Sequence, residues 1–260
     1  MNYQLPFIPE RPAKPRESGL TMMMDKGLSV QEASNFIESS AQFTDLVKFG
    51  FGTGLITDQI KRKIQLFREA GIRTYFGGTL FEAFIIRGLF DEYRKLVDKY
   101  DLDTAEISDG SMAMPHDEKL NYIRLLSSQV TVLSEVGSKV AGVEIPPDKW
   151  VNMMKAELAA GSWKVIAEAR ESGTIGIYKK DGSANTDLID DIVGHMKPED
   201  VIWEAPNKSQ QAWFIKLLGT NVNLGNIATQ EVVALETLRL GLRGDTFFDF
   251  LPEKYQDKKL

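Results

Sequence analysis

The sequence contains no cysteine, which excludes disulfides, thiol nucleophiles and thiolate metal sites. Histidine is scarce: His116 and His195 are the two in 260 residues. That excludes a histidine-rich zinc centre and argues against a Ser-His-Asp triad. Basic charge is not in excess either. Lys and Arg number 31 against 37 Asp and Glu, a net charge of −6, so the chain lacks the positive field of a general nucleic-acid binder. No segment approaches the ~20 consecutive apolar residues of a membrane-crossing helix. The first residues are proline-rich (Pro6, Pro9, Pro12, Pro15) and lack the apolar stretch of a signal peptide. The expectation is a soluble, cytoplasmic protein that binds neither nucleic acid nor membrane.

What is present is enough for one large core. Hydrophobic residues make up 43% of the chain, and a single α/β barrel typically takes about 250 residues. Short apolar runs alternate with longer stretches of helical period. The runs fall at residues 19–24, 46–49, 73–76, 104–107, 130–133, 164–167, 201–203 and 222–224. Between them, Ser29 suits a helix N-cap, Asp58 suits another, and residues 80–100 read as a long helical region broken at Gly88. Pro115 suits the first turn of a helix. Eight strand–helix units in about 225 residues predict a parallel sheet closed into a single (β/α)8 TIM-type barrel. An open, doubly wound sheet is the alternative. It would need Gly-x-Gly-x-x-Gly after a strand, and Gly50-Phe51-Gly52-Thr53-Gly54 places its third glycine too early. The division expected is an arm at 1–18, the barrel at 19–247 and a C-terminal tail at 248–260, of which residues 253–260 read as a charged, frayed end.

Catalytic groups of such barrels sit at the C-terminal ends of the strands. Here those ends carry Asp25, Lys26, Lys48, Thr79, Glu106, Ser108, Asp109, Glu135, Glu168, Arg170, Glu204 and Asn226. Buried charges must be paired or coordinated. Glu106, Glu135 and Glu168 end three consecutive strands and can converge on a hard divalent cation, for which Mg²⁺ is the natural choice. Pairing of the same carboxylates with Lys48 or Arg170 is the competing explanation. Lys48 and Lys139 can each serve as Schiff-base former or proton donor. Glycines at strand ends, among them Gly77 and Gly78, allow backbone N–H groups to approach an anion. Turn geometry explains any one of them equally well.

Nine ordered segments give the chain a specific resemblance. They include Asp25-Lys26-Gly27-Leu28, Val47-Lys48-Phe49-Gly50-x-Gly52-Thr53, Gly77-Gly78-Thr79-Leu80-Phe81-Glu82, Glu106-Ile107-Ser108-Asp109-Gly110-Ser111 and Glu135-Val136-Gly137-x-Lys139. The later ones begin with Glu168-Ala169-Arg170-Glu171-Ser172-Gly173 and Glu204-Ala205-Pro206-x-Lys208, and end near Thr246. The chain resembles the phosphosulfolactate synthase family. The resemblance implies a (β/α)8 barrel that adds sulfite to phosphoenolpyruvate with Mg²⁺, as a homo-oligomer, with a trimer favoured. It puts the proton donor at Lys139. Lys48 is the second catalytic candidate, and Lys26, Arg170, Gly77, Gly78, Ser108 and Asn226 are the candidates for substrate binding. Two features depart from the family pattern: Ser138 stands where some members carry a second lysine, and the loop at 140–147 differs. The arm Arg11-Pro-Ala-Lys-Pro-Arg16 resembles that of the plant heat-stress-associated branch, but the Asp-Lys-Gly and Gly-Gly-Thr signatures favour the enzyme. The alternatives are a non-catalytic barrel of the same family and a barrel lyase or aldolase using a strand-end lysine.

Overall fold

Successive side chains of each strand point to opposite faces, and that period of two builds the barrel. The computed structural model describes residues 3–139, 142 and 145–259. Part of the divergent loop at 140–147 therefore lies outside the described residues. The strands are β1 (Thr21–Asp25), β2 (Leu46–Phe49), β3 (Arg73–Phe76), β4 (Thr104–Ile107), β5 (Thr131–Val136), β6 (Ser162–Ala167), β7 (Val201–Glu204) and β8 (Leu224–Ala228). The helices are α1 (Val30–Ser40), α2 (Ile60–Glu69), α3 (Gly78–Ile85), α4 (Phe90–Lys99), α5 (His116–Ser127), α6 (Pro147–Ala160), α7 (Thr186–His195), α8 (Lys208–Leu218) and α9 (Val232–Arg239). Hydrogen-bonded strand order is β3-β2-β1-β8-β7-β6-β5-β4, with parallel pairing in every ladder among the described residues. The end strands β3 and β4 pack side by side and complete the nearly closed barrel.

One face of each strand points into the barrel and the other against the helices. Leu20, Met22, Leu46, Tyr75, Leu133, Ile166 and Ile202 form the inner cluster. The outward set, including Met23, Val47, Val132, Val165, Val201 and Ile227, joins the helices in the larger core. Burial on both faces is why the runs read as nearly continuous apolar stretches. The methionines of the first strand are core, as their apolar surroundings in the sequence suggest.

Several local expectations are met and several are corrected. Ser29 caps α1 in a full capping box with Glu32. Asp58 does not cap: α2 begins after Gln59, which takes a left-handed conformation at φ 53°. The region at 80–100 is two helices, separated by a turn in which Gly88 has φ +70°. Pro115 stands at the N-cap of α5 rather than inside its first turn. The last strand extends beyond the apolar run at 222–224, because Ile227 and Ala228 continue the ladder to Met23 and Met24. The tail is anchored, not frayed: a 3-10 turn covers Glu253–Lys258, and the Tyr255 ring meets Phe7 at 5.8 Å.

The arm seals the N-terminal end of the barrel. Arg11 pairs with Glu236 at 3.0 Å, and Arg16 pairs with Asp45 at 2.9 Å. Arg239, fully buried, donates to the carbonyls of Thr220, Val222 and Leu20. These bonds leave the opposite end of the barrel as the open mouth.

Candidate active site

The same inward positions that hold Leu, Met and Ile low in the barrel hold charge near its mouth. Lys48 follows Leu46 by two residues, Glu135 follows Leu133, Glu168 follows Ile166 and Glu204 follows Ile202, and each is buried. Glu106 and Asn226 complete the layer. Lys48 Nζ lies 2.9 Å from Glu106 Oε1, 3.0 Å from Glu135 Oε2 and 3.4 Å from Glu204 Oε1. Lys139 enters from the loop after β5, and its Nζ is 2.5 Å from Glu135 Oε1, 3.8 Å from Glu82 Oε1 and 3.9 Å from Glu168 Oε2. Glu204 Oε2 accepts from the Ala169 N–H at 3.0 Å and from Asn226 Nδ2 at 3.4 Å. Lys48, Glu135, Lys139, Glu168, Glu204 and Asn226 line a cavity of about 580 Å³, at whose rim Arg170 stands.

Burial and mutual charge divide the carboxyls. Burial would raise Glu135, but the ammonium groups of Lys139 and Lys48 outweigh it and hold this carboxyl well below the usual range. Burial raises Glu168 strongly, and the charges of Glu135 and Glu204 add to the rise. It also raises Glu106 and pushes Glu204 up to about 7 against the opposing Lys48 charge. Burial would lower both lysines. Glu135 and Glu168 keep Lys139 above its ordinary value, and Glu106, Glu135 and Glu204 do the same for Lys48. The molecule thus holds two ammonium groups beside one firmly ionised carboxylate, Glu135, with the neighbouring carboxyls pushed upward.

Glu135, Glu168 and Glu204 each offer an oxygen, and these oxygens all lie within 4.8 Å of one another. Glu168 Oε2 is buried with no hydrogen-bond partner. An all-oxygen, all-carboxylate set with an unsatisfied buried acceptor fits a hard divalent cation. The converging set differs from the sequence expectation at one position. Glu106 lies outside the converging set: its Oε1 accepts the Gly78 N–H at 2.5 Å and pairs with Lys48, while its Oε2 is buried without a hydrogen-bond partner. Glu204, at the end of β7, stands in the set instead.

Other candidates are placed differently from their sequence reading. The Gly77 N–H donates to Phe49 O at 3.0 Å, and the Gly78 N–H to Glu106. Both amides are committed within the protein. What these glycines supply is room: a Cβ on Gly78 would stand 2.2 Å from Ser108 Oγ, and one on Gly77 would stand 3.0 Å from Lys48 Cε. Ser108 is buried and donates to Glu82, across the β3–β4 seam. Lys26 is exposed at the rim and pairs with Glu171, and Arg170 is an exposed lining residue of the cavity. Asn226 lines the cavity with left-handed backbone at φ 58°, and its buried Oδ1 has no hydrogen-bond partner.

Two strand-end acids are structural. Asp25 pairs with the fully buried Lys63 at 2.6 Å and accepts the N–H groups of Gly27 and Leu28. Asp109 pairs with Lys119 at 2.9 Å, which also reaches Glu157 at 2.8 Å. Lys63, Lys119 and Glu82 were missed in the sequence because they lie on helices. Their apolar neighbours mark the buried face, yet nothing local names their partners.

The family model for (2R)-phospho-3-sulfolactate synthase (ComA) matches residues 9–245. The phosphosulfolactate synthase of Bacillus subtilis is 41% identical over 244 residues, covering 93% of this chain and 97% of the relative. That of Methanothermobacter thermautotrophicus is 40% identical over 246 residues, covering 92% and 95%. The Arabidopsis thaliana protein HEAT-STRESS-ASSOCIATED 32 is 26% identical over 260 residues, covering 88% of each chain. Among solved structures, phosphonopyruvate hydrolase complexed with oxalate and Mg²⁺ aligns with a TM-score of 0.55 at 11% identity, covering 83% of this chain and 77% of that one. The 3-hexulose-6-phosphate synthase of Salmonella typhimurium aligns at 0.53 and 11%, covering 86% and 100%. At that identity the structural likeness shows the barrel fold alone. The match across residues 9–245 and the two synthases at about 40% identity show that the chain belongs to the phosphosulfolactate synthase family and is a lyase.

Proposed function

We propose that the enzyme adds sulfite to C3 of phosphoenolpyruvate, giving (2R)-2-O-phospho-3-sulfolactate, and that the reaction requires Mg²⁺. The observation that carries the reading is the meeting of Lys139 Nζ with the Glu135–Glu168–Glu204 carboxyls in one cavity. Sulfite donates its sulfur lone pair to C3. The C2=C3 pair moves onto the substrate carboxylate as an enediolate, and a proton must then reach C2.

Glu135, Glu168 and Glu204 are the residues that would hold Mg²⁺, which when bound supplies positive charge for the developing enediolate. Lys139 is the proton donor. Its carboxylate neighbours keep it charged at neutral pH, the state an acid needs. Delivery from one fixed ammonium protonates one face of C2 and sets the configuration. Lys48 holds Glu135 and Glu204 together and adds positive charge at the cavity floor. Lys26 and Arg170 at the rim are the groups for phosphate and sulfonate oxygens, Lys26 by exchanging Glu171 for the ligand. Asn226, which lines the cavity, is the remaining candidate for ligand contact. A Schiff-base aldolase is disfavoured, because a nucleophilic amine must be neutral and both lysines are held as ammonium.

The test is direct. Protein is mixed with phosphoenolpyruvate and sulfite, with Mg²⁺ or with excess chelator, and followed by ³¹P NMR. Mg²⁺-dependent conversion to one new phosphate ester supports the reading. Persistence of phosphoenolpyruvate with Mg²⁺ present overturns it, and equal turnover in chelator removes the metal. The same reading makes the enzyme a cytoplasmic homo-oligomer, expected as a trimer. Sedimentation as a monomer at micromolar concentration counts against that assembly.

A further inference from the structure

Glu82 is a buried carboxylate beside the cavity that none of the steps above uses. It lies on α3, one turn after Gly78, so both face the same way. The bare Gly78 lets α3 sit against the end of β4, and this brings Glu82 to the loop that follows that strand. There Glu82 Oε1 accepts the Ser108 hydroxyl, and Oε2 accepts the Ser111 N–H at 3.1 Å. The loop so fixed contains Gly110. Its carbonyl accepts the Lys139 backbone N–H at 2.9 Å, and a Cβ on Gly110 would stand 3.1 Å from Lys139 Cγ. At the far end of that side chain, Glu82 Oε1 is 3.8 Å from Lys139 Nζ. One carboxylate therefore governs the backbone anchor, the stem channel and the field at the ammonium.

We infer that Glu82 is a positioning residue that aims the Lys139 ammonium at the reacting carbon. It touches no substrate in this account and acts through the 108–111 loop. The inference rests on the proposed role of Lys139. Loss of Glu82 leaves the metal ligands and the rim cations in place, so its effect falls on the chemical step. A misplacement of about 1 Å at a catalytic group can cost about 10²-fold.

Two variants separate aim from mere folding. Glu82→Ala removes both bonds and the charge. Glu82→Gln keeps the volume and one acceptor and removes the charge. Two readouts are taken on each, with the wild type alongside: steady-state kinetics, and the ¹⁵N-lysine ammonium signal of Lys139, assigned by its loss in Lys139→Ala. The expected result is a fall in kcat of up to about 10²-fold in Glu82→Ala, with KM for both substrates within about 2-fold. Glu82→Gln falls between, and the Lys139 signal shifts or broadens in both. A lowered melting temperature with unchanged kcat and an unchanged Lys139 signal overturns the inference and leaves Glu82 a purely structural residue. Should Glu82→Ala fail to fold, an unchanged kcat and Lys139 signal in Glu82→Gln overturns it as well. Wild type inactive on phosphoenolpyruvate and sulfite would instead sink the proposed reaction, and the ammonium signal would still report whether Glu82 positions Lys139.

Discussion

Glu135 binds a different lysine on each oxygen: Oε1 lies 2.5 Å from Lys139 Nζ, while Oε2 lies 3.0 Å from Lys48 Nζ. The two lysines have separate jobs in the account. Lys139 approaches from a loop and lines the cavity, partly exposed. Lys48 is almost wholly buried and clamps Glu106, Glu135 and Glu204. Lys139→Ala is expected to lower kcat by about 10²–10⁴-fold, the range of general acid catalysis. KM for phosphoenolpyruvate should move less, because the proton is delivered in the transition state. Lys139→Arg should not restore the rate, since guanidinium is too weak an acid. Steady-state kinetics check both. A loss confined to KM, with rescue by Arg, would reduce Lys139 to an anion-binding charge and move the acid elsewhere.

The proposed metal ligands are separable from their neighbour Glu106. Glu168→Gln and Glu204→Gln should each raise the Mg²⁺ concentration for half-maximal activity by about 10-fold or more, because an amide is a poor substitute for a carboxylate on a hard cation. Glu106→Gln should leave that requirement within about 2-fold, because its oxygens lie outside the converging set. Mn²⁺ binding followed by electron paramagnetic resonance gives the same comparison without turnover. Equal effects in Glu106→Gln and Glu204→Gln would show that the converging oxygens are not the ligand set.

The metal-free protein should lose stability as pH rises across the range in which Glu204 titrates. Its carboxyl is raised from about 4.5 to about 7, chiefly by burial. Between those values the folded state keeps a proton that the unfolded chain has lost. The unfolded state then binds fewer protons, so the contribution is present below about 4.5 and is lost as pH rises through about 7. Glu204→Gln should flatten this part of the melting-temperature profile between about pH 5 and about pH 7.5 in chelator. A profile parallel to wild type would mean that Glu204 does not carry the proton.

Asp25 and Lys63 form a buried pair, each fully shielded from solvent. Lys63→Ala leaves an unpaired carboxylate in the interior and should cost about 3–5 kcal/mol. The paired replacement Asp25→Asn with Lys63→Met should recover much of that loss, because neither charge then remains. Denaturant unfolding of the single and double variants measures both. A single-variant cost below about 1 kcal/mol would show the pair to be effectively solvated.

The barrel was legible because eight short apolar runs alternate with stretches of helical period and end in glycine and charge. Leu46 and Lys48, or Ile202 and Glu204, place one apolar and one charged side chain on the same inward face. Lys139 was singled out through the Glu-Val-Gly-x-Lys segment of the family resemblance, and the fold sets its ammonium 2.5 Å from Glu135 Oε1. The choice among strand-end carboxylates was not legible. Glu106 and Glu204 look alike in sequence, and what separates them is where the closed barrel puts their oxygens: those of Glu204 converge with Glu135 and Glu168, and those of Glu106 do not. Lys63 and Lys119 were hidden for a related reason: each is a helix residue whose acid partner is reached only when the helix packs on the sheet.

The most direct test of the whole account is the fate of hydrogen at C2. Wild-type protein is incubated with phosphoenolpyruvate, sulfite and Mg²⁺ in D₂O, and the product is examined by ¹H and ³¹P NMR. The account predicts a phosphate ester bearing one solvent deuteron at C2 in a single configuration, with both C3 protons of the substrate retained. Unreacted phosphoenolpyruvate, release of inorganic phosphate in place of the ester, or deuterium at C2 in both configurations would contradict it.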